Sequence, residues 1–125
     1  GLIRIHMPEV IFTGPAGRLE GRFHQSTTRG APLAIILHPH PQFGGTMNNP
    51  LVYALYYSFL ERGFSTLRFN FRGVGRSQGR YDGGIGEIGD AAAAEWDAIT
   101  EKIGVDKQKE VYANWASKSG AYPKM

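Results

Sequence analysis

The chain opens with short runs of alternating polar and apolar residues and changes period further on. Pro8 to Thr13 is β-rich, and Gly14-Pro15-Ala16-Gly17 then interrupts it with the two strongest turn formers, predicting a strand, a turn and a second strand. In that second strand Leu19, Gly21 and Phe23 share one side while Arg18, Glu20, Arg22 and His24 share the other. This period of two belongs to an antiparallel strand with one wet face. Ser26 to Pro32 is polar and reads as a loop. Leu33-Ala34-Ile35-Ile36-Leu37 shows no alternation, which predicts a central strand covered on both faces.

After a loop rich in Pro and Gly, the pattern becomes helical. From Asn49 to Arg62, the residues Val52, Leu55, Tyr56 and Phe59 recur at helical spacing, with Pro50 suited to the first turn and Gly63 to the C-terminal cap. Phe64 to Phe71 is strand-like again, and Gly73, Gly75 and Gly79 open a loop. A second helix is predicted from about Glu87 to Ile103, with Ala92, Trp96, Ile99 and Ile103 as its apolar stripe. A last strand is predicted at Glu110 to Trp115. Two antiparallel strands followed by strand, helix, strand, helix and strand predict an α/β fold, a mixed, mostly parallel sheet flanked by helices. Ligands gather at the carboxyl ends of strands in such sheets, so the loops at His38 and Arg72 form the expected functional edge.

Composition narrows the function classes. The 125 residues suit one compact domain, and 42% hydrophobic content is that of an ordinary globular protein. The longest apolar run, Leu33 to Leu37, is far below the roughly 18 to 20 residues of a membrane span, so no membrane partner is expected. With no cysteine there are no disulfides, thiolate ligands or Cys nucleophile, and a cytoplasmic location is expected. The net charge is +3, but the arginines are scattered and no basic cluster interleaves with aromatics, so no nucleic-acid partner is expected. A His immediately before Met7 is what a cloning junction leaves, so residues 1–6 are set aside and 7–125 are read as the domain. All nine arginines lie at or before Arg80 and all five lysines at or after Lys102. Chance in a small sample explains this, as does a different origin for the last thirty or so residues.

Chemistry concentrates in two loops. The first, Leu37-His38-Pro39-His40-Pro41-Gln42-Phe43-Gly44-Gly45-Thr46-Met47-Asn48-Asn49, follows a predicted strand and precedes a predicted helix. The second, Phe69-Asn70-Phe71-Arg72-Gly73-Val74-Gly75-Arg76-Ser77-Gln78-Gly79, follows the next strand. Over about residues 8 to 100 the chain resembles the small bacterial α/β-hydrolases related to dienelactone hydrolase. In that family a strand ending in His-Pro or His-Gly enters the oxyanion-hole loop, and an aromatic, polar, aromatic, Arg-Gly-x-Gly-x-Ser pattern ends the following strand. The resemblance implies an α/β-hydrolase-like sheet, of which this chain is the N-terminal portion, and a small-molecule substrate with an ester or related acyl bond. Hydrolysis of such a bond builds negative charge on the carbonyl oxygen, which a fixed N–H can stabilise. Pro39 and Pro41 have no N–H, so the donors are those of His38, His40 and Gln42, and the family register favours His40. His38, Gln42, Gly44, Gly45 and Arg72 are the expected substrate-contacting set, although Arg72 also suits an anchor for its loop. Ser77 reads as a local hydrogen-bonding residue.

Other chemistries fit less well. A metal on His38 and His40 would need further ligands, and only Asp82 and Glu87 are near, so neither metal nor cofactor is expected. Gly73-Val74-Gly75-Arg76-Ser77-Gln78 lacks the third glycine of a dinucleotide fingerprint. A serine hydrolase also needs a nucleophile elbow, an acid and a later histidine. Ser119 fits an elbow through Ser117 and Ala121, an ungapped match places Lys118 at the nucleophile, and Ser117 requires Trp115 where a small residue belongs. A noncatalytic Ser/Lys-rich tail fits equally. No histidine follows His40, so the chain alone is expected to be nearly inactive. A noncatalytic binding module is the second reading, with self-association through an exposed sheet edge.

Overall fold

The computed structural model describes residues 9–103, a four-stranded mixed sheet with one helix on each face. The strands are β1 (Glu9–Gly14), β2 (Gly17–His24), β3 (Leu33–Ile36) and β4 (Ser65–Phe69), in the order β1-β2-β4-β3. The helices are α1 (Pro50–Glu61) and α2 (Ile85–Ile103). The predicted strand at Glu110 to Trp115 and the residues Ser117, Lys118 and Ser119 lie outside the described residues.

Residues Pro15 and Ala16 turn β1 back onto β2, with Gly14 opposite Gly17 and Glu9 opposite Arg22. β2 then runs antiparallel to β4, and β4 runs parallel to β3, with Ile36 opposite Arg68. The alternation in β2 holds: Leu19, Gly21 and Phe23 are buried and the residues between them are half-buried or exposed.

Among the described strands the interior positions belong to β2 and β4 and not to the apolar run. All five residues of β4 are buried, whereas β3 lies at an edge among the described strands, its burial alternates, and Leu37 is 50% exposed. β4 holds the centre despite carrying Ser65, Thr66 and Arg68, because β2 and β3 both hydrogen-bond to it.

Phe12, Leu19, Phe23, Leu67 and Phe69 pack under Ala94 and Ala98 of α2 on one face, and Ala34 and Ile36 pack under Val52 and Tyr56 of α1 on the other. In α1 the predicted face is correct at Val52, Tyr56 and Phe59, but Leu55 is exposed. The side chain of Asn49 caps the Leu51 N–H at 2.9 Å, Pro50 occupies the first turn, and Gly63 takes a positive φ just beyond the helix.

The buried stripe of α2 is Glu87, Asp90, Ala94 and Ala98, and the larger Trp96 points outward with Ala92. The predicted stripe therefore fails at Ala92 and Trp96, which are exposed, while Ile99 is half-buried. Small alanines bring α2 close to the sheet, and Asp90 faces inward because it has a buried cation to meet.

Candidate functional site

The first loop leaves β3 at Leu37 and reaches α1 at Asn49. His38 is buried at its start: Nε2 accepts the Phe71 N–H at 3.0 Å and Nδ1 lies 2.8 Å from the Pro39 carbonyl. A nitrogen that accepts an N–H carries no proton, so the proton sits on Nδ1 and is donated to Pro39. Burial holds the His38 imidazole below its usual value, opposed by that bond to Pro39. Both ring nitrogens are therefore used within the chain, and the imidazole ties the end of β3 to the residues just after β4.

His40 sits at the exposed crest. It caps a short 3-10 turn over Pro41–Phe43, its carbonyl accepting from the Phe43 and Gly45 amides at 3.0 and 3.1 Å. The Gln42 N–H donates to His40 Nδ1 at 3.1 Å, which places the ring proton on Nε2, 2.8 Å from the Tyr81 hydroxyl. Gln42 thus loses its amide as a free donor. The rings of Phe43 and Tyr81 flank His40 at 5.1 and 5.0 Å, and Phe43 is 86% exposed. A Cβ on Gly45 would run into the carbonyls of Pro39 and His40, so only glycine lets the loop close on itself there. Gly44 has a φ of 77° with open space around its missing Cβ. The loop ends where the Met47 N–H donates to Asn70 Oδ1 at 2.8 Å.

The second loop is fastened from behind. The Arg72 N–H donates to Asp90 at 3.0 Å, and its guanidinium reaches Asp90 through Nε at 3.1 Å and Nη2 at 2.9 Å, with Nη2 also donating to the Gly86 carbonyl. Hydrogen bonding to Asp90 holds Arg72 above its ordinary value, so it stays a cation. Asp90 is fully buried. The Glu87 carboxylate takes the Asp82 and Gly84 amides at 3.0 Å each, closing the turn before α2. Ser77 donates to the Asn70 carbonyl at 2.7 Å and accepts the Glu20 N–H at 3.0 Å, a local role as its sequence context suggested.

The two loops thus meet at Asn70, Phe71 and Tyr81. His40, Gln42 and Gly44 share the exposed crest and Gly45 is buried beneath it, while the side chains of His38 and Arg72 face inward on protein partners. Ser119 lies outside the described residues. A shallow groove bounded by Glu9, Arg18, Glu20 and Arg76 contains no residue of the first loop. Among the described residues no cluster of three or more His, Asp or Glu could hold a metal.

No protein-family model matches the chain. Its fold superposes on a protein of unknown function from Agrobacterium tumefaciens, grouped with the α/β hydrolases, with a TM-score of 0.72 and 66% identity over 75% of this chain. The chain belongs to the α/β-hydrolase superfamily. A second α/β-hydrolase structure, a serine hydrolase homologue from Coxiella burnetii, is 44% identical with a TM-score of 0.67 over 74% of this chain. A third, a Xanthomonas campestris α/β serine hydrolase without a lid, is 29% identical with a TM-score of 0.67 over 82%. An uncharacterized protein of Rickettsia prowazekii is 52% identical over 91 residues, 72% of this chain. This α/β-hydrolase chain spans less than half the length of each, between 38% and 48%.

Three residues that brace these two loops escape sequence reasoning. Asp90 lies 18 residues from Arg72 and Tyr81 lies 41 from His40. Asn70 stood inside the aromatic, polar, aromatic pattern, whose polar position was the one available clue.

Proposed function

We propose that this chain is the anion-stabilising part of a serine hydrolase acting on an ester or related acyl bond, with the His40 main-chain N–H as donor. A single observation supports this most: of the amides between the two prolines and just after, that of Gln42 is engaged by the His40 ring, while that of His40 has no acceptor among the described residues. In this reading a serine oxygen attacks the acyl carbon as its proton passes to a base, and the carbonyl oxygen takes up the negative charge that His40 meets. Collapse expels the alcohol, which takes the proton, and water repeats the sequence to release the acid.

Ser119 is the proposed nucleophile, with Ser117 as the alternative. Gly44, exposed and with open space at its missing Cβ, lets a substrate approach the loop closely, and Gly45 lets the loop close on itself beneath it. His38 and Arg72 belong to the site as its supports, given their inward hydrogen bonds. This sequence carries no histidine after His40, and low turnover by this chain alone is part of the proposal. The substrate is a small molecule and the proposed location is the cytoplasm; no helix among the described residues is long and apolar enough to cross a membrane.

A second reading is a noncatalytic module that associates through β3, which lies at an edge among the described strands. Reaction of the folded chain with a fluorophosphonate, followed by peptide mapping, separates the two. Slow labelling confined to Ser119 or Ser117 supports the hydrolase, and a folded chain that takes no label supports the module.

A further inference from the structure

We infer that Asn70 is the positioning residue of the loop from His38 to Met47, and that Glu20 on β2 holds Asn70 for this task. The inference rests on the reading of that loop as the anion-stabilising one. Asn70 is buried, and its side chain makes two bonds of opposite sense: Oδ1 accepts the Met47 N–H at 2.8 Å and Nδ2 donates to Glu20 Oε2 at 3.0 Å. A main-chain N–H can only donate and a carboxylate only accept, so turning the amide over would set donor against donor and acceptor against acceptor. One orientation therefore survives. The main chain of Asn70 is fixed as well, its N–H donating to the Glu20 carbonyl at 2.9 Å and its carbonyl accepting from Ser77 at 2.7 Å.

Glu20 does more than fill space. Its Oε2 also accepts the Arg76 N–H, and a Cβ added to Gly75 would collide with the Glu20 carboxylate and lie 2.7 Å from Asn70 Nδ2. The carboxylate polarises the Asn70 amide, which strengthens the acceptor that Oδ1 offers to Met47. Consecutive residues thus grip both ends of the loop: Phe71 binds His38 where it begins and Asn70 binds Met47 where it closes. Between those grips the chain is confined by its own turn and by the Tyr81 hydroxyl at the His40 ring, so the direction of the His40 N–H depends on where Met47 is held.

Two variants test this without depending on activity. Asn70→Leu removes both side-chain bonds, and Glu20→Gln, at a half-buried site, removes only the charge behind Asn70. In the folded 125-residue chain, amide exchange at Met47 is expected to rise roughly tenfold in Asn70→Leu and several-fold less in Glu20→Gln. The His40 and Gln42 amide resonances should move with it, while the Phe71 amide and the β1–β2 ladder stay unchanged. Fluorophosphonate labelling should slow in the same order. Unchanged Met47 exchange and His40 resonance in either folded variant overturn the role of Asn70. Equal labelling rates in wild type and Asn70→Leu overturn it too, leaving the hydrolase reading intact. If Asn70→Leu does not fold, Glu20→Gln decides. A folded wild-type chain that takes no phosphonate overturns the hydrolase reading, while the loop displacement, read without the probe, still decides whether Asn70 sets the loop.

Discussion

Arg72 and His40 stand at the ends of neighbouring strands and both belong to sequence motifs of the same family, yet their surroundings are opposite. Arg72 is nearly buried, and its guanidinium is bonded to Asp90 and Gly86 on the helix behind it. His40 lies on an exposed crest, flanked by a ring that is 86% exposed, with an amide that no described residue accepts. Burial with full satisfaction gives rigidity, and exposure with an unspent donor gives something to offer a ligand. The supports sit inside and the proposed chemistry outside, joined through His38, Asn70 and Tyr81.

This contrast is broken most severely at its buried end. Asp90→Ala leaves the Arg72 cation without its partner, and the expected loss is about 3 to 5 kcal/mol in chemical denaturation. An Arg72→Met/Asp90→Leu pair should recover much of that, because neither charge is then stranded. His38→Ala strands the Phe71 N–H and should cost about 1 to 3 kcal/mol by the same measurement.

The pH dependence of wild type sharpens the account of His38. Its value is depressed in the fold below the ordinary 6.5, so the folded chain resists the proton that the unfolded chain takes up. That stability is fully present above about 6.5 and is lost as pH falls through the folded value. Denaturation midpoints recorded down a pH series should show this decline in wild type and lack His38's share of it in His38→Ala.

At the exposed end the balance of effects reverses. Gly45→Ala forces the loop away from the Pro39 and His40 carbonyls. It should cost only about 1 kcal/mol in the melt yet abolish fluorophosphonate labelling. Phe43→Ala touches an exposed ring and should stay within about 0.5 kcal/mol of wild type.

Much of the frame was legible because it depends on neighbours in sequence. Gly14 to Gly17 turn the hairpin, Asn49 and Pro50 start α1, and two glycine-bearing loops after strands announce the functional edge. What depends on distant partners was not legible. Leu33 to Leu37 looks central by apolarity, but strand order is set by pairing, and among the described strands β2 and β4 have two neighbours each while β3 has one. Arg68 looks like a surface cation, yet it is buried on β4 with its guanidinium 4.5 and 4.7 Å from the rings of Tyr53 and Tyr56. Burial pushes the Tyr56 phenol up to about 12, with Arg68 opposing. The inward face of α2 depends on Asp90 finding Arg72, a pairing 18 residues apart that no helical period encodes. In the candidate site the loop was readable and Arg72 already suited an anchor, but its partner Asp90 and the inward hydrogen bonds of His38 were not legible.

The central claim is that the His40 main-chain N–H is the donor held ready for developing negative charge. The most direct measurement is the His40 amide proton resonance before and after phosphonylation, since the phosphonyl oxygen stands where the oxyanion of an acyl intermediate would. A large downfield shift at His40, exceeding that at Gln42, is the predicted result. A phosphonylated chain whose His40 resonance does not move contradicts it.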